Sequence, residues 1–485
     1  MFACKLAQEA LPYLGHFVSA IPRAKARWPE HGELGLLLAK FDGDVVQAVQ
    51  ALKESHPLAE TPLLDSLNGV VASLRECEEY CKRAQDSLPY PFTRAQRQLR
   101  DVVEFLFPDA DTSILDTTHR TEGYIPIRLP ANRVVETFHL GPLEMPRLFN
   151  GLWQLSSASW GSGAAANQEK ALVHLIESGL TATDMADHYG DAELIYGDFR
   201  NKLEPSIRNA VYAATKWCIF SPIERPVTAS YVLAAVKERS RRLGGGRVEL
   251  LQFHWYNYEA KEYLDILVEL VRLTKSHPDL MSAIGLCNFD SEHVEEACKY
   301  LITKTGAVGI VSNQVQFSLL DTRPLQKMTS VCDTYGLKLL TYGSFCGGFL
   351  SKRWLDRPAP EIYLEANQLT PSQRKYIDMI RTWADWNEFQ LLLKCLSKVA
   401  LKHDVSLSNV ATRWVLQQPA VGAVIVGTRL GVSDNVEDNL KVFSFILDES
   451  DMSDINSMAL GPTGERATAL FEKLGDCGNE YRRMH

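Results

Sequence analysis

No stretch of this chain approaches the roughly 18 consecutive apolar residues that a membrane-spanning helix needs. The first 30 residues also lack a secretory apolar core followed by a small-residue cleavage site. Positive charge is in deficit, with 51 lysines and arginines against 60 aspartates and glutamates. The net charge of −9 speaks against general affinity for nucleic acid or an anionic membrane. Ten cysteines never pair as CxxC, the usage expected of reduced, packed thiols in a cytoplasmic protein. Cys77 and Cys81, at helical spacing in RECEEYCKR, read as an incidental pair rather than a metal site. Arg23, Lys25 and Arg27 follow an amphipathic stretch in the manner of a transit peptide, but Glu9 and the scarcity of serine count against it. Organellar import therefore stays an open alternative to the cytoplasm.

Glycine-rich phosphate motifs are missing as well. GSGAAA at Gly161–Ala166 has the loose form of a dinucleotide fingerprint, and Asp184 lies about 20 residues further on. SASW, however, separates its first glycine from the strand that should precede it, so a Rossmann domain is set aside. Gly244–Gly246 has no GK[ST] behind it and reads as a helix-to-strand loop.

What the chain does carry is a recurrent placement of ionisable residues. Asp184 and Tyr189 in TDMADHYG, Lys216 in YAATKW and His254 in LLQFHW each close or just follow a short apolar run. The runs are spaced by roughly 30–40 residues, about one strand plus one helix of a (β/α)8 barrel, whose strand ends converge on one mouth. Asp187 and His188 in the same motif read as loop residues. The set itself limits the chemistry. A phenol with a reference pKa of about 10 needs roughly 4 kcal/mol of differential stabilisation to release a proton near neutrality. A lysine ammonium beside it favours the phenolate, an aspartate keeps that lysine charged, and a histidine hydrogen-bonds a substrate oxygen. None of the four is a typical acyl-transfer nucleophile, and no cluster supplies a metal. Proton transfer coupled to an electron pair that no side chain delivers implies a hydride-carrying cofactor.

These residues resemble the aldo-keto reductases, NADP-dependent (β/α)8-barrel oxidoreductases, over about Arg147 to Phe443. The likeness runs in order through RLFNGLWQL, GLTATDMADHYGDAELIYG, the lysine and histidine strands, IGLCNF, SNQVQFSLLD, LTYGSFCGGFLSK, RWVLQQP, VIVGTR and VEDNL. It implies Tyr189 as general acid, Lys216 and Asp184 as its tuners, and His254 as the residue that orients the carbonyl. It implies that Asn288 and Gln314 bind the nicotinamide carboxamide and that Tyr342 stacks on the ring. Gly427, Thr428 and Arg429, with Asp438 and Asn439, resemble the segment that grips the adenosine 2′-phosphate and adenine of NADP(H). The chain departs from the family pattern at Cys287, where serine is usual, at Asp438, where glutamate is usual, and at Asn435, where a second basic residue often stands.

Architecture follows from pattern and resemblance together. A TIM barrel, class α/β, is expected over 134–460, after a small all-α region at 1–108 and a polar linker at 109–133, with a tail at 461–485. Strands are expected at 148–155, 181–186, 210–216, 248–254, 281–287, 309–315, 337–342 and 422–427, and a β-hairpin in VVETFHLGPLEMPRL closes the bottom. The insertion before the last strand and the tail should set the substrate, a small carbonyl compound or alcohol. Trp153, Trp160, Trp217 and Trp255 suggest an aromatic-lined, apolar pocket. Two functions fit: an NADPH-dependent carbonyl reductase, or an NADP(H)-binding regulatory or interaction subunit that meets a protein partner or a second copy through its N-terminal helices.

Overall fold

The computed structural model of the protein describes residues 124–130, 135–156, 165–223, 226–360 and 369–482. The helices expected over 1–108, the linker as far as 123, Cys77, Cys81, Trp160 and the glycines of GSGAAA lie outside the described residues. All of the described residues fall in one unit, Glu122–His485.

Eight parallel strands close into a barrel: β3 (Leu148–Gly151), β4 (Ala182–Asp184), β5 (Tyr212–Cys218), β6 (Val248–His254), β7 (Met281–Cys287), β8 (Ser312–Gln316), β9 (Lys338–Tyr342) and β10 (Val421–Gly427). The expected strands are all present, with bounds shifted by one or two residues at several and by more at two. The first ends at Gly151, where the chain turns into a 3-10 segment, Trp153–Ser156. The sixth starts three residues late because Gly309, at φ 71, holds a left-handed turn against Val271. Helices alternate with the strands and carry their own stop and start chemistry. The Asp290 side chain accepts from His293 N–H to start Ser291–Thr305, which ends on left-handed Gly306. Thr370 and Gln373 form a capping box ahead of Pro371–Trp383. That helix belongs to the insertion, before Trp386–His403 and the seventh barrel helix, Leu407–Leu416.

The hairpin is also where it was expected. Strands β1 (Thr137–Leu140) and β2 (Leu143–Pro146) pair antiparallel. Their Leu140 and Met145 join a buried cluster with Phe149, Ala182, Ala214, Leu250, Ala283, Leu340 and Ala423. Because successive strand residues point to opposite faces, the residues two further along from this apolar floor point into the same interior. On β4, β5 and β6 those are Asp184, Lys216 and Gln252, with His254 one step higher. The pleat thus stacks an acid–base layer above an apolar one.

Arg147 fastens the seam at which the barrel closes. Its guanidinium donates to the carbonyls of Leu416 (2.7 Å), Val421 (2.8 Å) and Gly422 (2.9 Å), and Glu136 completes its partners. The outward face of β6 is tied down in the same manner. Glu249, 1% exposed, accepts from Arg200 at 2.6 Å and from Ala213 N–H at 2.8 Å. Removing one partner of a buried pair leaves the other charged and desolvated, so Arg200→Met should lower the unfolding free energy by about 3–5 kcal/mol. Arg241→Met, at the surface pair with Glu238, should cost less than about 1 kcal/mol, both read from urea denaturation midpoints.

Candidate active site

The four residues singled out from the sequence meet at the C-terminal mouth of the barrel. They line one cavity of about 1230 Å³. Lys216 and Asp184 form a buried ion pair, Nζ to Oδ2 at 2.6 Å, and Lys216 also donates to the carbonyl of Met185 at 2.8 Å. The other carboxylate oxygen, Oδ1, accepts from Gln252 Nε2 (2.8 Å) and Gln314 Nε2 (2.7 Å). Lys216 Nζ sits 4.8 Å from the centre of the Tyr189 ring. His254 is buried, edge-on to Tyr481 at 6.0 Å and tilted against Phe220 at 5.2 Å.

Burial and charge compete at the phenol. Desolvation is the larger influence on Tyr189 and raises its pKa well above that of a free tyrosine, while Lys216 opposes it and Asp184 adds to it. Lys216 acts with the sign expected from the sequence, but burial outweighs it and the net shift is upward. For Lys216 itself, burial is the largest single influence and works against the charged form, but Asp184 together with Tyr189 and Cys287 carries the pKa upward. The group is a permanent ammonium.

Asp187 proves more than a loop residue. Burial opposes its ionisation, but bonds from His188 and Arg239 and the Cys218 N–H hold its carboxyl at about 2. It anchors the turn that carries Tyr189, against whose ring His188 packs edge-on at 4.7 Å. Asp187, His188 and Cys218 also bring three metal-ligand atoms within 4.8 Å of one another, but the bond from Arg239 commits the carboxylate to an ion pair. Cys287 is buried, and burial pushes its thiol up to about 12, as suits a packing residue.

The residues matched to a cofactor divide into two groups. Asn288, Gln314, Tyr342, Gly427 and Arg429 line the same cavity as the acid–base set. Thr428, Asp438 and Asn439 do not. Thr428 extends the seam through its N–H to Gly151 O (2.8 Å), and Asp438 accepts from Ser406 (2.9 Å) beside the start of Leu407–Leu416. The tryptophans divide as well. Trp153 lines the cavity, but Trp217 and Trp255 do not, which corrects the picture of a tryptophan-lined pocket. Each directly follows an inward residue, Lys216 or His254, so the pleat turns it outward, and both pack against Phe253.

Four residues of the site escaped the sequence reading. Gln252 had a readable signal, since it is the one amide in an apolar strand and stands two residues before His254, on the same face. Arg353, Lys375 and Tyr481 had none. They come from the 3-10 segment Lys352–Trp354, the insertion and the tail, and only the fold brings them to the cavity. Tyr481 lies 3.1 Å from both Tyr342 Oη and Lys375 Nζ.

A phenol held protonated beside a permanent ammonium, an imidazole nearby and two carboxamide side chains across the cavity can transfer a proton to an oxygen and grip a second organic molecule. The comparison with known proteins agrees with that geometry. The sequence model of the Aldo/keto reductase family matches residues 147–459, and the chain belongs to this family of carbonyl oxidoreductases, which typically use a nicotinamide cofactor. Chloroplastic pyridoxal reductase of Arabidopsis thaliana is 24% identical over 337 residues, 66% of this chain and 86% of that protein. Aldo-keto reductase YhdN of Bacillus subtilis is 23% identical over 326 residues, 65% of this chain and 90% of its own. Flagellar radial spoke protein 5 of Chlamydomonas reinhardtii is 27% identical over 181 residues, 34% of this chain and 33% of that protein.

Ultraviolet difference titration of the wild type against Tyr189→Phe isolates the ionisation of this phenol. It should fall above the free-tyrosine value of about 10. Lys216→Met should move it higher still, because the variant removes the charge that favours the phenolate. An ionisation below 10 would mean that Lys216 outweighs burial.

Proposed function

We propose that the protein is an NADPH-dependent oxidoreductase that interconverts an aldehyde or ketone and its alcohol, with Tyr189 as general acid. The observation that carries this reading is that one cavity holds Asp184, Tyr189, Lys216 and His254 together with Asn288, Gln314 and Tyr342. The residues present fit a nicotinamide dinucleotide. Two amides and an aromatic face suit the nicotinamide, and Arg353 and Arg429 supply positive charge for phosphates. Arg429, with Gly427 and Thr428 at the seam, is assigned the 2′-phosphate. Asp438 and Asn439 are assigned the adenine side, where the Asp438 carboxylate also accepts from Ser406.

A bound NADPH would supply the hydride to the carbonyl carbon. The side chains do the rest. His254 holds the carbonyl oxygen, and Tyr189 gives that oxygen its phenolic proton as the C=O double bond becomes a C–O single bond and the alcohol O–H forms. Lys216 stabilises the phenolate left behind, and Asp184 keeps Lys216 in place. Run backwards, the phenolate takes the proton of an alcohol. Trp153 is the tryptophan kept as a substrate contact.

A second reading, an NADP(H)-binding regulatory or interaction subunit with little turnover, draws on the likeness to a flagellar radial spoke protein. Residues 1–108 would then meet the partner. As to location, no helix among the described residues is long and apolar enough to cross a membrane, and the described cysteines are free thiols, which suits the cytoplasm we propose.

Tyr189→Phe removes the donor and keeps the ring, so reduction of model aldehydes should fall by at least about 10²-fold with NADPH binding little changed. Retained turnover would end the mechanism, and a wild type as slow as the variant would favour the second reading. Arg429→Ala should weaken NADPH far more than NADH in fluorescence titration, since a guanidinium–phosphate contact is lost from one cofactor alone. Equal losses would remove Arg429 from the phosphate site.

A further inference from the structure

Two side chains beside Tyr189 have no part in the proton transfer. Cys218 stands two residues beyond Lys216 on β5, so the pleat turns it to the same interior. His188 directly precedes Tyr189 on the turn after β4. Both line the cavity. With Asp187 they bring a thiol sulfur, a ring nitrogen and a carboxylate oxygen within 4.8 Å of one another, the one such group among the described residues.

The carboxylate of that group is an organiser rather than a ligand. Its Oδ2 accepts from Arg239 and, at 3.0 Å, from the Cys218 N–H, while its Oδ1 lies 3.3 Å from His188 Nδ1. Asp187 thus ties the backbone of Cys218 and the ring of His188 to one point. A carboxylate behind an imidazole fixes its orientation and raises its basicity, as it does for histidines that bind metals. Local charge does not repel a cation, because each neighbouring positive group is already paired: Lys216 with Asp184, Arg239 with Asp187 and Arg242 with Glu193.

We propose that Cys218 and His188 form a site for a thiophilic divalent cation, the class that Zn²⁺ represents, and that an ion bound there blocks the reaction at Tyr189. Sulfur and imidazole suit zinc, whereas magnesium and calcium take oxygen ligands. A tetrahedral zinc with bonds of about 2.0–2.3 Å sets its ligand atoms roughly 3.5 Å apart. His188, 45% exposed, is free to turn by that margin, and water completes the shell. Binding is a ligand exchange: the thiol proton passes to water as the sulfur–metal bond forms, and nothing is oxidised. Inhibition follows from position. The His188 ring packs edge-on against Tyr189 at 4.7 Å and against Phe220 at 5.2 Å, so an ion that it holds, with its waters, takes up space beside the phenol that a carbonyl has to enter. The inhibition rests on the reductase reading, and the site itself does not.

Cobalt(II) is the optical probe for such a site, because a cobalt–thiolate bond adds a charge-transfer band in the near ultraviolet. The reduced, metal-free full chain should gain that band on titration with Co²⁺ and lose it when Zn²⁺ is added. Cys218→Ser should abolish the band. His188→Gln should weaken Zn²⁺ binding by at least about tenfold in competition with a chelating dye, the scale on which metal sites respond to loss of a partner. Zn²⁺ should also slow the reduction of a model aldehyde, a chelator should restore the rate, and His188→Gln should lose this sensitivity. If Cys218→Ser does not fold, the exposed His188 decides alone. A band unchanged in Cys218→Ser, or a zinc affinity unchanged in His188→Gln, would overturn the site. Zinc bound with the reduction rate unaltered would overturn the inhibition. A wild type that reduces no carbonyl would end the reductase reading and the inhibition with it, while the cobalt band still decides the site.

Discussion

The Lys216–Asp184 ion pair is the contact on which the rest of the site depends. An ammonium and a carboxylate taken out of water are costly unless each finds further partners, and here each has partners beyond the pair itself. Met185 takes a second proton of Lys216, and two glutamine amides take the second oxygen of Asp184. The pair thus does more than tune a tyrosine. Its carboxylate is an acceptor only, so Gln252 and Gln314 both turn their amino groups towards Asp184. Replacing it with a neutral couple of the same shape would preserve packing and lose direction.

Direction at the mouth matters because proton transfer tolerates little error in placement. Tyr189 is carried on a turn that Asp187 pins through Arg239 and the Cys218 N–H, and its ring lies against both Lys216 and His188. The raised phenol is matched to donation rather than to storage of negative charge. In the reaction we propose, a phenol that holds its proton at neutral pH is ready as the acid, and the adjacent ammonium becomes useful at the moment the proton leaves.

Much of this was legible in the sequence, for physical reasons that also mark where legibility stops. Parallel strands buried on both faces read as apolar runs, so the barrel and the placement of Asp184, Lys216 and His254 could be taken from the runs and their ends. The period of two was equally available. Applied to Trp217 and Trp255 it turns them outward, and applied to Gln252 it turns that residue inward. The direction of the Tyr189 shift was not legible, because it weighs a named charge against an environment that only the assembled cavity supplies. Lys375 and Tyr481 were beyond reach for another reason. They are adjacent to Tyr342 in space and tens of residues or more away along the chain, with no periodicity to announce them.

The seam between β3 and β10 carries a kinetic meaning. Every other neighbouring pair of barrel strands follows in chain order and needs only a local excursion, whereas Arg147 meets Gly422 across a sequence separation of 275 residues. Closing so long a loop has an entropic cost that is repaid only when both strands are already placed. The guanidinium of Arg147, with three carbonyl partners on the far side, therefore acts as a latch set at the end of assembly. Until it engages, the sheet has two open edges, and the same backbone groups that finish the barrel stand available to another chain.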